Sequence, residues 1–125
     1  FRAFDPLLPL QAFCGWEDDK VIPDAVMGAR RQHPAFEEAL AAAIKAVKVG
    51  RDAWATGPGM STRFLKGRHD VLCLPPGALY PYHYLARSER ATTTPETAPW
   101  AFCAHHWHHS WGTETQKAQI TANQR

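Results

Sequence analysis

The sequence lacks both a strong net charge and a long hydrophobic run. Its 14 lysines and arginines stand against 12 aspartates and glutamates, which gives a formal net charge of +2 over 125 residues. The basic residues are scattered along the chain. This excludes the concentrated basic surface that nucleic acid or an anionic membrane would select, so we predict no nucleic acid partner. No apolar run approaches the roughly 18 residues of a membrane-spanning helix.

Cysteine is scarce and follows no recognisable pattern. The three cysteines, Cys14, Cys73 and Cys103, lie in apolar segments without CxxC spacing. An odd number of cysteines in such surroundings favours free, buried thiols and a reducing compartment over a disulfide framework. The chain also contains no HExxH, the helical motif of many zinc hydrolases.

The chain lacks an initiator methionine and a signal peptide. We predict that 1–125 form a single partial domain, with 112–125 as a polar tail. Apolar strand-like runs alternate with helical periodicity, which favours an α/β architecture. The predicted strands are 10–16, 21–29, 70–74 and 100–104. The predicted helices are 34–48 and 56–66. Four short strands are few for a complete sheet, so we expect half of a longer α/β domain.

The segment 34–48 carries the clearest helical pattern. Apolar side chains recur there at helical spacing, at Phe36, Leu40, Ile44 and Val47. Pro34 suits the first helical position, where no amide hydrogen is needed. Gly50 is expected to end the helix, because glycine readily adopts the left-handed conformation found at helix C-termini.

The segment 105–111 concentrates unusual chemistry. It holds four of the seven histidines and two of the five tryptophans, in the order His105-His106-Trp107-His108-His109-Ser110-Trp111. It follows the predicted buried strand 100–104, and open α/β sheets build ligand crevices where strands end. Imidazole ligates metals, so the segment could supply one or two ligands of a site completed from elsewhere. The structural alternative is a set of half-buried histidines beside a core tryptophan.

Two further features are candidates for ligand binding. The turn Thr56-Gly57-Pro58-Gly59 precedes a predicted helix, and backbone amides at a helix start can bind an anionic group. The alternative is a tight turn with proline at the first helical position. Asp24 lies inside an apolar run, where a buried carboxylate needs a partner or a ligand.

The acidic and tyrosine-rich segments each allow two interpretations. Glu17-Asp18-Asp19 could hold a divalent cation or act as acid and base, or it could form a solvated turn. Tyr80, Tyr82 and Tyr84 could stack on a sugar or pack into the core.

Six segments occur in an order that is similar to one known family. They are Phe13-Cys14-Gly15-Trp16-Glu17-Asp18, Asp24-Ala25-Val26-Met27-Gly28-Ala29, His33-Pro34, Thr56-Gly57-Pro58-Gly59, Leu74-Pro75-Pro76-Gly77-Ala78-Leu79-Tyr80-Pro81, and Ala104-His105-His106-Trp107 with Ser110-Trp111. This order resembles the C-terminal half of glycosyltransferase family 32, the DXD sugar-binding enzymes related to mannosyl- and galactosyltransferases. The resemblance covers about residues 11–113.

The resemblance implies a GT-A-type α/β fold and a retaining hexosyltransferase. The implied donor is a nucleotide sugar, the acceptor is a glycan or glycolipid, and the cofactor is Mn²⁺ or Mg²⁺. His105 matches the histidine of the family's His-x-Trp pattern and would be a metal ligand. Ser110 and Trp111 match its Ser-Trp and would contact the metal and the diphosphate. Trp107 would lie in the donor pocket.

Other roles carried by the resemblance fall on the Asp24 segment and the 56–59 turn. Gly57 and Pro58 would form part of the donor pocket wall. Asp24, where related enzymes often carry Asn, would contact the donor sugar and act in catalysis. No family role is assigned to the remaining histidines of the cluster, His106, His108 and His109.

The chain departs from the family in one respect, because it contains no Asp-x-Asp. The resemblance puts that metal anchor upstream of Phe1 and implies that the isolated chain is inactive. It also implies polysaccharide biosynthesis in the cytoplasm, at the inner face of the membrane, with peripheral association through the part outside the chain. The alanine- and proline-rich composition suggests a bacterium.

Two other functions are open from the residues. One is a zinc metallohydrolase that uses the histidines of 105–109. The other is a non-catalytic carbohydrate-binding module built on the tyrosines of 80–84 and Trp107.

Overall fold

A computed structural model describes residues 1–106, apart from the side chain of Arg87, as a mixed α/β arrangement. The three strands are β1 (Ala12–Gly15), β2 (Gly28–Ala29) and β3 (Leu72–Leu74). The α-helices are α1 (Pro34–Lys48), α2 (Ala53–Thr56) and α3 (Pro58–Leu65). Short 3-10 helices cover Asp5–Leu7 and Tyr84–Ala91. The predicted α/β class is confirmed at this coarse level.

The strands form one small mixed sheet with β1 in the centre. β2 pairs antiparallel with β1, and β3 pairs parallel with it, so the order is β2-β1-β3. A parallel neighbour requires a long crossover connection, and here the crossover from β1 to β3 contains all three α-helices. The end of β1 is tied to the end of β3 by the amide of Trp16, which donates to the carbonyl of Leu74 at 3.0 Å.

Two of the predicted strands are wrong over most of their length. The predicted strand 21–29 contributes only Gly28–Ala29 to the sheet. Pro23 has no amide hydrogen to donate to a ladder, and the amide of Ile22 donates instead to the hydroxyl of Thr62 at 2.9 Å. These two features direct the segment towards α3.

The segment 100–104 is buried as predicted, but it is not a strand. Ala101 is 0% and Phe102 is 9% exposed. Its backbone bonds go to two separate segments: Arg2 donates to the carbonyl of Ala101, and Phe102 donates to the carbonyl of Ala78, both at 2.8 Å. These single bonds anchor the segment without forming a ladder.

The predicted helix 34–48 is confirmed with both bounds, although its buried side differs from the apolar pattern. Pro34 begins α1, and Gly50 follows it with φ +70°. Leu40, Ile44 and Val47 are 62%, 48% and 64% exposed. The alanine-rich side of the helix, with Ala35 at 0% exposure, packs inward.

The predicted helix 56–66 is confirmed as α3, which runs from Pro58 to Leu65. Gly57 separates it from the short α2, which ends at Thr56. Asp52 caps α2 by accepting the amide of Ala55 at 2.9 Å. Pro58 then begins α3 at a position that needs no amide hydrogen. Gly67, with φ +73°, follows the end of α3.

The core has two apolar clusters on either side of the sheet residues. The first contains Ala12, Cys14, Ile22, Ala35, Leu65 and Val71. The second contains Leu7, Leu79, Tyr80 and Phe102. The fully buried Cys14 and the partly buried Phe13 are neighbours on β1 and contribute to different clusters, as alternation along a strand requires.

An ion-paired network joins the start of α1 to the segment before β3. Arg68 makes two 2.8 Å bonds to the carboxylate of Asp70 and one of 3.2 Å to Glu38. The buried ring of His33 lies with Nε2 3.2 Å from the carbonyl oxygen of Asp70. Hydrogen bonding from Arg68, chiefly, holds the pKa of Asp70 well below its usual range.

Candidate functional site

The carboxylate of Asp24 lies against the start of α3. A Cβ atom built on Gly57 would be 2.9 Å from Oδ2 and 3.3 Å from Oδ1 of Asp24, and 2.9 Å from the carbonyl oxygen of Ala53. Gly57 therefore allows the Asp24 loop and the first residue of α2 to approach the same backbone position. Asp24 itself is exposed, so the expectation of a carboxylate buried in an apolar run is wrong. The carboxylate is presented at the surface, beside a buried glycine.

Thr62 holds the loop that carries Asp24 onto α3. Its hydroxyl donates to the carbonyl of Pro58 at 2.7 Å, one turn earlier in the helix. The same oxygen accepts the amide of Ile22 at 2.9 Å. Bonding of a threonine hydroxyl to the carbonyl four residues earlier is a local helix feature. Sequence reasoning missed Thr62, because its second bond spans 40 residues and leaves no signal in the local pattern.

Tyr80 connects the Asp24 loop to the segment that carries His105. Its side chain is 2% exposed. Its hydroxyl accepts the amide of Val26 at 3.1 Å and lies 3.4 Å from the Val26 carbonyl oxygen, to which it can donate. The Tyr80 ring also meets the ring of His105 edge-on, with centroids 6.3 Å apart and an interplanar angle of 89°. Burial, chiefly, raises the pKa of Tyr80, so the phenol remains neutral and keeps its proton for bonding.

His105 lies at the end of a short irregular segment that is anchored in the core. It is half-buried, and Phe102 and Cys103 of the same segment pack against the second core cluster. The thiol of Cys103 donates to the carbonyl of Leu79 at 3.4 Å. His105 and, through Val26, the loop of Asp24 both contact Tyr80, while Gly57 lies against the Asp24 carboxylate.

The other predicted donor-site residues divide into two groups. Pro58 is at the first position of α3, immediately after Gly57. Trp107, Ser110 and Trp111 lie outside the described residues, as do His108, His109 and the predicted tail 112–125. His106 is described and is exposed.

The predicted cation site stays a prediction, because it takes only His105 from the described residues and its Asp-x-Asp anchor was expected upstream of Phe1. Residues 1–106 contain no group of three or more His, Cys, Asp or Glu side chains that could hold a metal ion. One imidazole at His105 is a poor site for a hard cation such as Mn²⁺ or Mg²⁺, which prefers oxygen ligands. The described residues therefore do not fit a complete cation site.

A second polar cluster, which sequence reasoning only half identified, forms around Glu17. The side chain of Glu17 is 7% exposed and accepts the amide of Tyr84 at 2.9 Å. His83 Nε2 is 3.5 Å from Glu17 and 3.6 Å from Asp18. The amide of Leu85 donates to Nδ1 of His83 at 3.1 Å, so the ring proton is on Nε2 and faces the carboxylates.

The acidic trio therefore splits between a buried and a solvated role. Burial raises the pKa of Glu17, although the Tyr84 amide and His83 act in the opposite direction. Asp18 accepts the amides of Lys20 and Val21, each at 2.8 Å, and so forms a side-chain turn. Asp19 is exposed. The link from Glu17 to His83 joins distant parts of the chain, and a single sequence carries no signal for it.

The tyrosines at 80, 82 and 84 are core residues. Their exposures are 2%, 4% and 3%, so their ring faces are covered. The large aromatic side chains that remain open among residues 1–106 include Trp54 and Trp100, which are 45% and 56% exposed. The indole Nε1 of Trp54 would be 2.8 Å from a Cβ atom on Gly59, beside the turn that meets Asp24.

Comparison of the chain with protein-family models, with curated proteins and with solved structures finds no match. In the part of the chain that the structure describes, no helix combines the length and the apolar character needed to cross a membrane.

Proposed function

We propose that this chain is part of a retaining glycosyltransferase that moves a hexose from a nucleotide-sugar donor to a glycan or glycolipid acceptor. The proposal includes a divalent cation, Mn²⁺ or Mg²⁺, and a cytoplasmic role in polysaccharide biosynthesis at a bacterial inner membrane. It starts from the order of the six sequence segments. The finer fold assignment, the C-terminal half of a GT-A domain, belongs to the same proposal.

One structural observation supports the proposal above the others. Segments that are distant in the chain, at 24–26, 57–58, 80 and 105, are neighbours in space through the Asp24–Gly57 approach and the contacts of Tyr80. Of these segments, the family resemblance assigns Asp24, Gly57 and Pro58 to the donor site and His105 to the cation.

The geometry favours a sugar contact rather than a phosphate contact at the start of α3. Backbone amides at a helix N-terminus attract an anion. Here the carboxylate of Asp24 already lies against Gly57, and its negative charge would repel a diphosphate. Carboxylate oxygens accept hydrogen bonds from hydroxyl groups, and charged acceptors make the stronger bonds. We therefore assign Asp24 to the sugar hydroxyls and the 57–58 turn to the pocket wall.

The proposed cation has no complete site among the described residues. His105 would supply one ligand, and Ser110 and Trp111 would contact the cation and the diphosphate. A bound cation would neutralise the departing diphosphate as a Lewis acid. Since residues 1–106 contain no group of three candidate ligands, we derive no chemical step through the cation.

The test is an NMR titration of the 125-residue chain with nucleoside diphosphate hexoses. It is run once in buffer that contains Mg²⁺ but no Mn²⁺ and once in buffer that contains neither cation. We expect the amide signals of Val26, Gly57 and Gly59 to shift. Asp24→Ala should remove these amide shifts, because the alanine side chain has no oxygen that accepts a hydrogen bond. Asp24→Asn should retain them, since an amide oxygen still accepts a hydroxyl hydrogen bond.

The matched control is Asp19→Ala, which removes an exposed carboxylate from the same loop without touching Gly57. An unchanged spectrum at Gly57 with every donor tested would contradict the proposed donor site. Turnover of a nucleotide sugar by the isolated chain would contradict the separate prediction that it is inactive alone.

Neither alternative function gains support from the structure. A zinc metallohydrolase needs several converging ligands, and residues 1–106 contain no such group. A carbohydrate-binding module needs open ring faces, and the three tyrosines proposed for it are buried.

A further inference from the structure

Two of the three cysteines lie side by side across the sheet. Cys14 of β1 and Cys73 of β3 are register partners in the parallel pairing, and their Sγ atoms are 3.4 Å apart. Neighbouring strands are about 4.8 Å apart, which lies inside the range of roughly 4.4–6.8 Å between the Cα atoms of a disulfide. Both residues are free thiols in this structure. The backbone therefore already holds them at the separation that a disulfide requires.

We propose that Cys14 and Cys73 form a reversible oxidation site, which a low-molecular-weight disulfide such as glutathione disulfide converts into a cross-strand disulfide bond. The two sulfurs must approach from 3.4 Å to about 2.05 Å. Side-chain rotation and a small shift of β3, which is an edge strand of the three-stranded sheet, provide this approach. The inference does not depend on the proposed glycosyl transfer.

Accessibility makes Cys73 the first sulfur to react. Cys14 is 0% exposed, whereas Cys73 is partly exposed and follows Leu72, which is 45% exposed. The Cys73 thiolate attacks one sulfur of glutathione disulfide. A bond forms between Cys73 and one glutathione, the disulfide bond of the oxidant breaks, and the second glutathione leaves as a thiolate that takes up a proton.

Cys14 then closes the protein disulfide. Burial, followed by the neighbouring Cys73, raises the pKa of the Cys14 thiol, so the thiolate is rare and this step is the slower one. The Cys14 thiolate attacks the sulfur of Cys73, and the remaining glutathione leaves and is protonated. Altogether, two protein thiols lose two electrons, and one glutathione disulfide becomes two glutathione molecules.

The third cysteine provides an internal control. Cys103 is partly buried and donates to the carbonyl of Leu79 at 3.4 Å. It packs against the second core cluster, while Cys14 and Cys73 pack in the first. It is therefore expected to remain a thiol or to carry glutathione, and not to enter the cross-strand bond.

The experiment equilibrates the folded 125-residue chain in glutathione buffers of increasing disulfide fraction. Remaining thiols are trapped with N-ethylmaleimide in denaturant, and the chain is digested without reductant for mass spectrometry. The expected product has lost two hydrogen atoms at the cysteine pair and carries one N-ethylmaleimide or glutathione, on Cys103. It yields one peptide pair joined at Cys14 and Cys73, which dithiothreitol separates. Cys103→Ser should give the same product, and Cys14→Ser should hold glutathione at Cys73.

The same treatment in urea gives the reference, because an unfolded chain joins three cysteines in more than one pairing. A folded wild-type chain that mainly links Cys103, or that carries glutathione on Cys73 without closing as the pH is raised, would overturn the proposal. The wild-type products decide the question, so a variant that fails to fold does not weaken the test.

Discussion

Gly57 occupies a position where three parts of the chain meet. A Cβ atom there would come within 2.9 Å of both the Asp24 carboxylate and the Ala53 carbonyl oxygen. Side-chain carbon atoms do not approach other atoms so closely, so a larger residue forces the Asp24 loop or the start of α2 to move. The identity of residue 57 therefore controls where the Asp24 carboxylate lies.

We expect Gly57→Ala to destabilise the fold by about 1–3 kcal/mol, the usual effect of overpacking, and to weaken the NMR response to nucleotide sugars. Urea unfolding and the same titration measure the two effects. Gly67→Ala is the control, because a Cβ there meets no atom within 4 Å. Its left-handed φ of +73° makes it unfavourable by about 1–2 kcal/mol, but the titration should be unchanged. Equal titrations for both variants would contradict the role of Gly57.

The burial of Glu17 leads us to expect that its contribution to the free energy of unfolding increases on mild acidification. Because burial raises its pKa above the ordinary 4.5, the folded state binds the proton more tightly than the unfolded state does. The stabilisation is complete below pH 4.5 and is lost as the pH rises through the native pKa. Glu17→Gln removes this dependence, so the variant should gain stability relative to wild type as the pH rises towards neutrality.

Urea unfolding of both proteins across that pH range measures the difference for Glu17→Gln. Glu37→Gln, which removes an exposed carboxylate from α1, is the control for the loss of one charge. A difference that shrinks with rising pH would have the wrong sign and would contradict the burial argument.

At the scale of the elements, the features that set the bounds of α1 differ from those that decide which of its sides is buried. Its bounds follow from local signals, Pro34 at the start and Gly50 beyond the end, and both are visible in the sequence. Which side is buried depends instead on how closely α2 and α3 approach, and both pack against α1. Alanine permits the closest approach, so the alanine side faces inward, whereas Leu40, Ile44 and Val47 are exposed.

This arrangement predicts opposite responses from two apolar positions of α1. Ala35→Leu should destabilise by about 1–3 kcal/mol through overpacking, since Ala35 is 0% exposed. Leu40→Ala should change stability by no more than about 0.5 kcal/mol, as is usual for surface substitutions, because Leu40 is 62% exposed. Chemical unfolding measures both, and a large loss for Leu40→Ala would show that its side is covered.

The connection between α1 and the segment before β3 depends on an ionised carboxylate. Hydrogen bonding from Arg68 lowers the pKa of Asp70 below its ordinary 3.8. Its stabilisation is therefore present above pH 3.8 and is lost as the pH falls through the native pKa. Asp70→Asn should lower the thermal unfolding midpoint at neutral pH, and the difference from wild type should narrow in acid.

A double-mutant cycle with Arg68→Gln separates this ion pair from other effects of Asp70→Asn. If the two residues act as a pair, the double variant should lose much less stability than the sum of the single variants. Additive losses at neutral pH would show that the bidentate contact is not the source of the effect.

The elements that the sequence predicted well are those with local causes. Helix α1 has helical periodicity over its own 15 residues and end signals at Pro34 and, just beyond it, at Gly50. The predicted strand 21–29 had an apolar composition, but a hydroxyl on Thr62 and the absence of a donor at Pro23 decided its course. The segment 100–104 was correctly expected in the core, yet its partners are two separate backbones. Strand pairing depends on such distant partners, which a single sequence does not show.

At the scale of the whole molecule, the candidate site divides in the same way. Residue types and motif order identified Asp24, Gly57 and His105 as candidates. The connection through Tyr80 was not predictable, because Tyr80 and Val26 are 54 positions apart and nothing in their local patterns links them. The Glu17–His83 contact was missed for the same reason. Residue types in the sequence suggested which side chains are candidates, whereas their proximity required the folded backbone.

The position of β3 has a further consequence for how this chain meets other polypeptides. Within residues 1–106 β3 borders the sheet, so its outward backbone donors and acceptors have no strand beside them. Such a border can recruit an additional extended segment, although a three-residue register offers few bonds to hold it. Any polypeptide added there would extend the sheet next to Cys73. Its backbone would then cover the Cys73 thiol and slow the oxidation of that thiol.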